Sequence, residues 1–214
     1  MNVLEIQGLR KSFGNLAVIQ GLDLAVPEGA IYGFVGQNGA GKTTTMKMVL
    51  GLLAPDGGDI TVCGERVRYG ETRSYRHVGY LPDDPAFYGF MTPLEYLALC
   101  GEVAGMARPR IKERSGELLS LVGLADAKAR RVGGFSRGMK QRLGIAQALL
   151  HEPRLLLCDE PTSALDPAGR KDILDILSAV KGRTTVLFST HILSDVERVC
   201  DHVAVLHNGK PALS

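Results

Sequence analysis

Apolar runs of strand length alternate along the chain with longer segments of helical spacing. Residues 3–8 (VLEIQG) alternate weakly between apolar and polar positions, and residues 22–26 form a second short strand closed by the turn Pro27-Glu28-Gly29. Residues 30–35 (AIYGFV) are a compact apolar run and predict a buried strand, followed by a Gly-rich loop and a helix over 43–53. Asp56-Gly57-Gly58-Asp59 predicts a turn, with a strand over 60–63 after it. From Thr92 to Gly133 the pattern is mostly helical. Thr92-Pro93-Leu94-Glu95 offers an N-cap, a proline at the first helical position and an acid in the first turn. Leu94, Leu97 and Ala98, then Ile111, Leu118, Leu119 and Val122, keep helical spacing. A helix over 138–151 comes next. Residues 155–158 and 185–189 are continuous apolar strands on either side of a helix over 167–180. A short helix over 194–200 and a strand over 202–206 lead into the turn Asn208-Gly209.

Buried strands alternating with helices predict a parallel sheet with helices on its faces. The helical stretch interrupts that rhythm and reads as an inserted subdomain. The sequence stops just after the Asn208-Gly209 turn, where the return strand of a hairpin should follow, so truncation at the C-terminus is expected.

Composition narrows the partners. The chain has 214 residues and is 45% hydrophobic, enough for a sizeable core. Lys and Arg number 25 against 23 Asp and Glu, a formal net charge of +2. That balance gives no basis for a nucleic-acid partner, and none is expected. The densest basic cluster, AKARR at 127–131, is short and reads as a solvated helix end. Cys63, Cys100, Cys158 and Cys200 form no CxxC pair and read as small apolar residues in a reducing compartment. No run of about 18 apolar residues occurs, and the N-terminus lacks the basic-then-apolar pattern of a secretory signal. The chain is expected to be soluble by itself and to borrow any membrane span from a partner.

Two motifs carry chemistry. Gly36-Gln37-Asn38-Gly39-Ala40-Gly41-Lys42-Thr43 fits the GxxxxGK[ST] pattern, between a buried strand and an amphipathic helix. Its glycines let backbone N–H groups curl around phosphate oxygens, and the helix adds its positive end. Lys42 supplies a point charge for the β- and γ-phosphates, and Thr43 a hydroxyl for Mg²⁺. With Thr44, these residues are the expected ATP-binding loop. Asp159 and Glu160 close the apolar run 155–158, and a parallel strand delivers its last residues to the edge where ligands bind. Asp159 is suited to hold Mg²⁺ through water. Glu160 can orient an attacking water and accept its proton. ATP and Mg²⁺ are therefore expected. The fold expectation becomes α/β: a P-loop NTPase-type core with a mixed, largely parallel sheet, an N-terminal antiparallel β portion and the inserted helical subdomain.

These motifs resemble the ATP-binding-cassette (ABC) family, and the resemblance covers essentially the whole chain. Phe135-Ser136-Arg137-Gly138-Met139-Lys140-Gln141-Arg142 looks like that family's signature, usually LSGGQ followed by basic residues. Ser163-Ala164-Leu165-Asp166 resembles the D-loop, His191 the switch histidine, and Phe13 the aromatic residue that stacks on adenine. The resemblance implies a transporter ATPase with Lys42, Glu160 and His191 in catalysis. It implies two cassettes paired head to tail, so that Ser136 and Gly138 read the partner's nucleotide. A homodimer is expected, with a separate transmembrane permease holding the chain at the cytoplasmic face of a bacterial membrane. One nucleotide-binding domain would span 1–214, with its core in 1–91 and 134–214 and the helical subdomain over about 92–133.

The sequence departs from the family's pattern at two places. Arg137 and Met139 replace Gly and Gln in the signature, and Asp83 stands where the Q-loop glutamine should follow Tyr80-Leu81-Pro82. Aspartate can still ligate Mg²⁺ or its water, so Asp83 is an expected metal and catalytic residue. The two departures look most like the ATPase subunits of bacterial ABC-2-type exporters. Translation-factor relatives resemble two cassettes with a charged linker, and DNA-repair relatives carry coiled-coil or zinc-bearing insertions; this sequence shows neither. Beside Asp83, Phe87, Tyr88, Phe90 and Met91 form an aromatic segment: either these residues pack the helical subdomain onto the sheet, or, as the family resemblance implies, some of them line a groove that receives a short helix of the permease.

Overall fold

The structure is a computed structural model and describes residues 1–213. β1 (Asn2–Phe13) and β2 (Leu16–Pro27) form a long antiparallel hairpin. β3 (Ile31–Gly36) runs into the loop that opens α1 (Lys42–Val49). β4 (Gly57–Val62) and β5 (Glu65–Arg66) complete an antiparallel sheet in the order β2-β1-β4-β5. β6 (Val78–Leu81) precedes α2 (Pro93–Val103), α3 (Arg108–Leu121) and α4 (Arg137–Ala148). Then follow β7 (Leu155–Cys158), α5 (Pro167–Ala179), β8 (Thr185–Thr190), α6 (Leu193–Val199), β9 (His202–His207) and β10 (Lys210–Leu213). The second sheet is ordered β10-β9-β3-β8-β7-β6, and its pairings are parallel except that of β10 with β9.

This is the expected α/β architecture. The central parallel strands β3, β7 and β8 are buried on both faces, which is why they read as apolar runs. Leu156, Val186 and Phe188 face Leu143, Ile145, Ile173 and Leu177 of the helices. Phe34, Leu157 and Leu187 belong to a second core with Leu4, Ile6 and Met46. α2 starts at the expected cap: Glu95 N–H donates to Thr92 Oγ1, and Thr92 N–H donates to the Glu95 carboxylate.

Several boundaries differ from the sequence reading. The hairpin strands are far longer than 3–8 and 22–26 because bulges break their alternation. Gly8 and Gly21 adopt φ of 57° and 87°, and the register shifts between Ile6 and Leu9. α1 ends at Val49, short of residue 53. Gly51 turns left-handed at φ 64°, and Leu52 N–H reaches back to Lys47 O. β6 is absent from the sequence reading because it is a four-residue edge strand interrupted by Gly79. That glycine is a packing requirement: an added Cβ would lie 2.1 Å from Ala148 O at the end of α4. The C-terminal hairpin does return. β10 pairs antiparallel with β9 within residues 210–213 and is the return strand of that hairpin.

One consequence positions the site. β3, β6, β7 and β8 run in the same direction, so their carboxyl ends emerge at one edge of the sheet.

Candidate active site

That edge carries a cavity of about 330 Å³ lined by Asn38, Gly39, Gly41, Lys42, Thr43, Thr44, Asp83, Glu160, Ser163 and His191. β3 and α1 supply the phosphate-loop residues, the chain after β6 supplies Asp83, the chain after β7 supplies Glu160 and Ser163, and the chain after β8 supplies His191. A wider hollow of about 650 Å³ borders β1, β2 and the Tyr32–His202 pair; none of the motif residues lines it.

The loop is shaped by its glycines. Gly41 caps α1 with φ 107°, and a Cβ there would meet Ile19 Cδ1 at 2.4 Å. The first turn of α1 holds no acid, so nothing in it opposes an anion at that helix end. Lys42 is buried, and its Nζ donates to Gly36 O at 2.6 Å and Gln37 O at 3.2 Å. The same Nζ is 3.1 Å from Glu160 Oε1, an ion-pair distance without hydrogen-bond alignment. Glu160 Oε2 is 2.9 Å from His191 Nδ1. The glutamate thus stands between a lysine and a histidine at the cavity wall.

Asp159 lies just behind, 3% exposed. Its Oδ2 accepts from Thr43 Oγ1 at 2.6 Å, and its Oδ1 accepts from Ser189 Oγ at 2.7 Å. The Asp159 N–H donates to Leu81 O, which ties β7 to β6. Thr43 and Asp159 present a hydroxyl and a carboxylate side by side. Such hard oxygen donors suit Mg²⁺, which takes few protein ligands and completes its shell with water and substrate phosphates.

Asp83 is held from α4. Its Oδ1 lies 3.3 Å from Arg137 Nη2, and its carbonyl accepts from the buried Gln141 Nε2 at 2.6 Å. Burial pushes its carboxyl above the usual range, Arg137 pulls it down, and Asp159 and Glu160 push it up again. The two departures in the sequence, Arg137 and Asp83, therefore meet in space.

The remaining expected residues stand elsewhere. Phe13 is half-exposed at the end of β1, with Lys11 Nζ 5.5 Å from its ring centroid. Ser136 caps α4 and accepts from Met139 N–H at 3.3 Å; the nearest side-chain atom to an added Gly138 Cβ would be Leu165 Cδ2. Neither Ser136 nor Gly138 lines the cavity of its own chain. Sequence reasoning missed Ser189, and it placed Gln141 in the signature without its bond to Asp83. Ser189 had a signal, being a polar residue directly after the apolar run 186–188 near the carboxyl end of a buried strand.

A family model described as ABC transporter matches residues 19–163. The ABC transporter ATP-binding protein YxlF of Bacillus subtilis (strain 168) is 46% identical over 208 residues, covering 97% of this chain and 69% of that protein. The chain belongs to the ABC transporter family. The Bacitracin transport ATP-binding protein BcrA of Bacillus licheniformis is 42% identical, over 97% of this chain and 68% of its own length. A solved ATP-binding subunit of an ABC transporter is 33% identical with a TM-score of 0.87, covering 99% of this chain and 88% of that one. The chain is thus an ABC transporter ATP-binding subunit, a nucleotide-binding ATPase. Among the described residues, no helix of this ABC ATPase is long and apolar enough to cross a membrane.

Proposed function

We propose that this subunit binds ATP with Mg²⁺ in the 330 Å³ cavity and hydrolyses it as one half of a head-to-tail pair, driving export through a separate permease. The observation that carries this reading is Glu160, whose carboxylate sits between Lys42 and His191 beside the phosphate loop. In the proposal, Lys42 and the loop amides hold the β- and γ-phosphates. Glu160 orients the attacking water and accepts its proton as the oxygen bonds to the γ-phosphorus, while the bond from that phosphorus to the β–γ bridging oxygen breaks and ADP leaves with the electron pair. His191 holds the glutamate through Oε2. Thr43 and Asp159, with Asp83, would hold Mg²⁺, which would supply charge neutralisation at the phosphates. Phe13 stacks on adenine. The chain acts as one cassette, with a core of 1–91 and 134–214 around the helical stretch 92–133. It works at the cytoplasmic face of a bacterial membrane through its permease. The relative named for bacitracin transport supports a transport role.

In the proposed pair, Ser136 and Gly138 complete the partner's site, which fits their position outside their own cavity. The Ser136→Ala and Gly138→Asp double substitution is expected to leave ATP binding by the single chain intact and to abolish the ATP-bound dimer in a Glu160→Gln background. Light scattering with ATP tests this, and a full-sized dimer would overturn the assignment in trans.

The aromatic segment divides into two parts. Phe87 packs edge-on against Tyr96 at 4.9 Å, whereas Tyr88 and Phe90 are 54% and 66% exposed. Exposed aromatic neighbours of this kind suit a helix-in-groove contact. Tyr88→Ala and Phe90→Ala are expected to spare basal ATPase and to weaken capture of the permease in a pull-down. Phe87→Ala is expected to lower the melting temperature instead.

A further inference from the structure

Ser189 is fully buried near the carboxyl end of β8 and lines no part of the cavity. Its hydroxyl makes two bonds of opposite sense. It accepts from the backbone N–H of Glu160 at 2.9 Å and donates to Asp159 Oδ1 at 2.7 Å. Because the amide can only donate, the single hydroxyl proton is directed to the carboxylate. Asp159 is thereby clamped, with Thr43 on one oxygen and Ser189 on the other.

The second bond bears on Glu160. Its backbone lies in the left-handed region at φ 47°, which residues other than glycine occupy only where the surroundings hold them. That twist sets the direction in which the side chain leaves the backbone. The Glu160 N–H donates to Ser189 Oγ and its carbonyl accepts from Ser163 N–H at 3.0 Å; of these two ties, only the first also reaches Asp159. Removing the hydroxyl would orphan a partly buried N–H and withdraw a donor from a nearly buried carboxylate.

We propose that Ser189 is a positioning residue for hydrolysis. It fixes the Asp159 carboxylate and the left-handed turn of Glu160 together, so that Glu160 stands between Lys42 and His191. The inference rests on the reading of Glu160 as the base.

The test compares wild type, Ser189→Ala, Ser189→Cys and Glu160→Gln for turnover of Mg-ATP, for ATP affinity in EDTA and for melting temperature. Cysteine keeps the volume and supplies only a weak donor and acceptor, so it carries the test if the alanine variant does not fold. Both Ser189 variants are expected to lose about 10–100-fold in turnover, the usual scale for partners that orient metal and catalytic groups. ATP affinity in EDTA is expected to stay at the wild-type value. A folded Ser189→Cys chain with wild-type turnover, beside a slow Glu160→Gln, would overturn this inference alone. So would an equal loss in metal-free ATP affinity, which would make Ser189 a general structural residue. If Glu160→Gln itself turns over like wild type, the reading of the base falls and this inference with it.

Discussion

Glu160→Gln is expected to keep ATP binding and to lose hydrolysis by about 10²–10⁴-fold, the scale of general base catalysis. The physical argument lies in the pairings of the carboxylate. Glu160 Oε1 faces Lys42 Nζ at 3.1 Å and Oε2 faces His191 Nδ1 at 2.9 Å. The amide is nearly the same size and can still accept from His191. It cannot take the proton of water at neutral pH, and it no longer balances the charge of Lys42. The nucleotide's phosphates provide that balance instead, so binding is expected to hold or tighten. Under the proposed mechanism the variant accumulates as an ATP-bound dimer. Single-turnover phosphate release, measured beside ATP affinity, checks both halves. Wild-type turnover would place the base elsewhere.

Lys42→Ala is expected to weaken ATP binding by about 10–100-fold, the range for losing hydrogen bonds to a charged group. Lys42 is 5% exposed and held by Gly36 O and Gln37 O, so its ammonium is fixed before any phosphate arrives. The substitution also strips Glu160 Oε1 of its cation beside the negative phosphates. Calorimetry with Mg-ATP measures the loss, and a melting curve establishes that the variant is folded. Unchanged affinity in a folded variant would take Lys42 out of the site.

The parts of the site that the sequence displays are those built from contiguous residues. The phosphate loop is legible because β3 is buried on both faces and the residues after it are punctuated by glycine. Asp159 and Glu160 are legible for the same reason at the end of β7. Ser189 is harder to read, because its partners Asp159 and Glu160 reach it only through the β7–β8 pairing. The link between Asp83 and Arg137 spans 54 residues. It depends on β6, an edge strand too short to show a periodicity, packing closely against α4 at Gly79 and at Gly144 beside Leu81. The long hairpin is half-hidden because bulges at Gly8 and Gly21 reset which side chains face the core.

Steady-state phosphate release from ATP by the purified wild-type chain, followed across protein concentration, tests the central claim most directly. Hydrolysis by a head-to-tail pair predicts Mg²⁺-dependent release whose rate per chain rises with concentration until the pair saturates, and which Lys42→Ala removes. Absence of Mg²⁺-dependent release at every concentration, or release that Lys42→Ala leaves untouched, would contradict it.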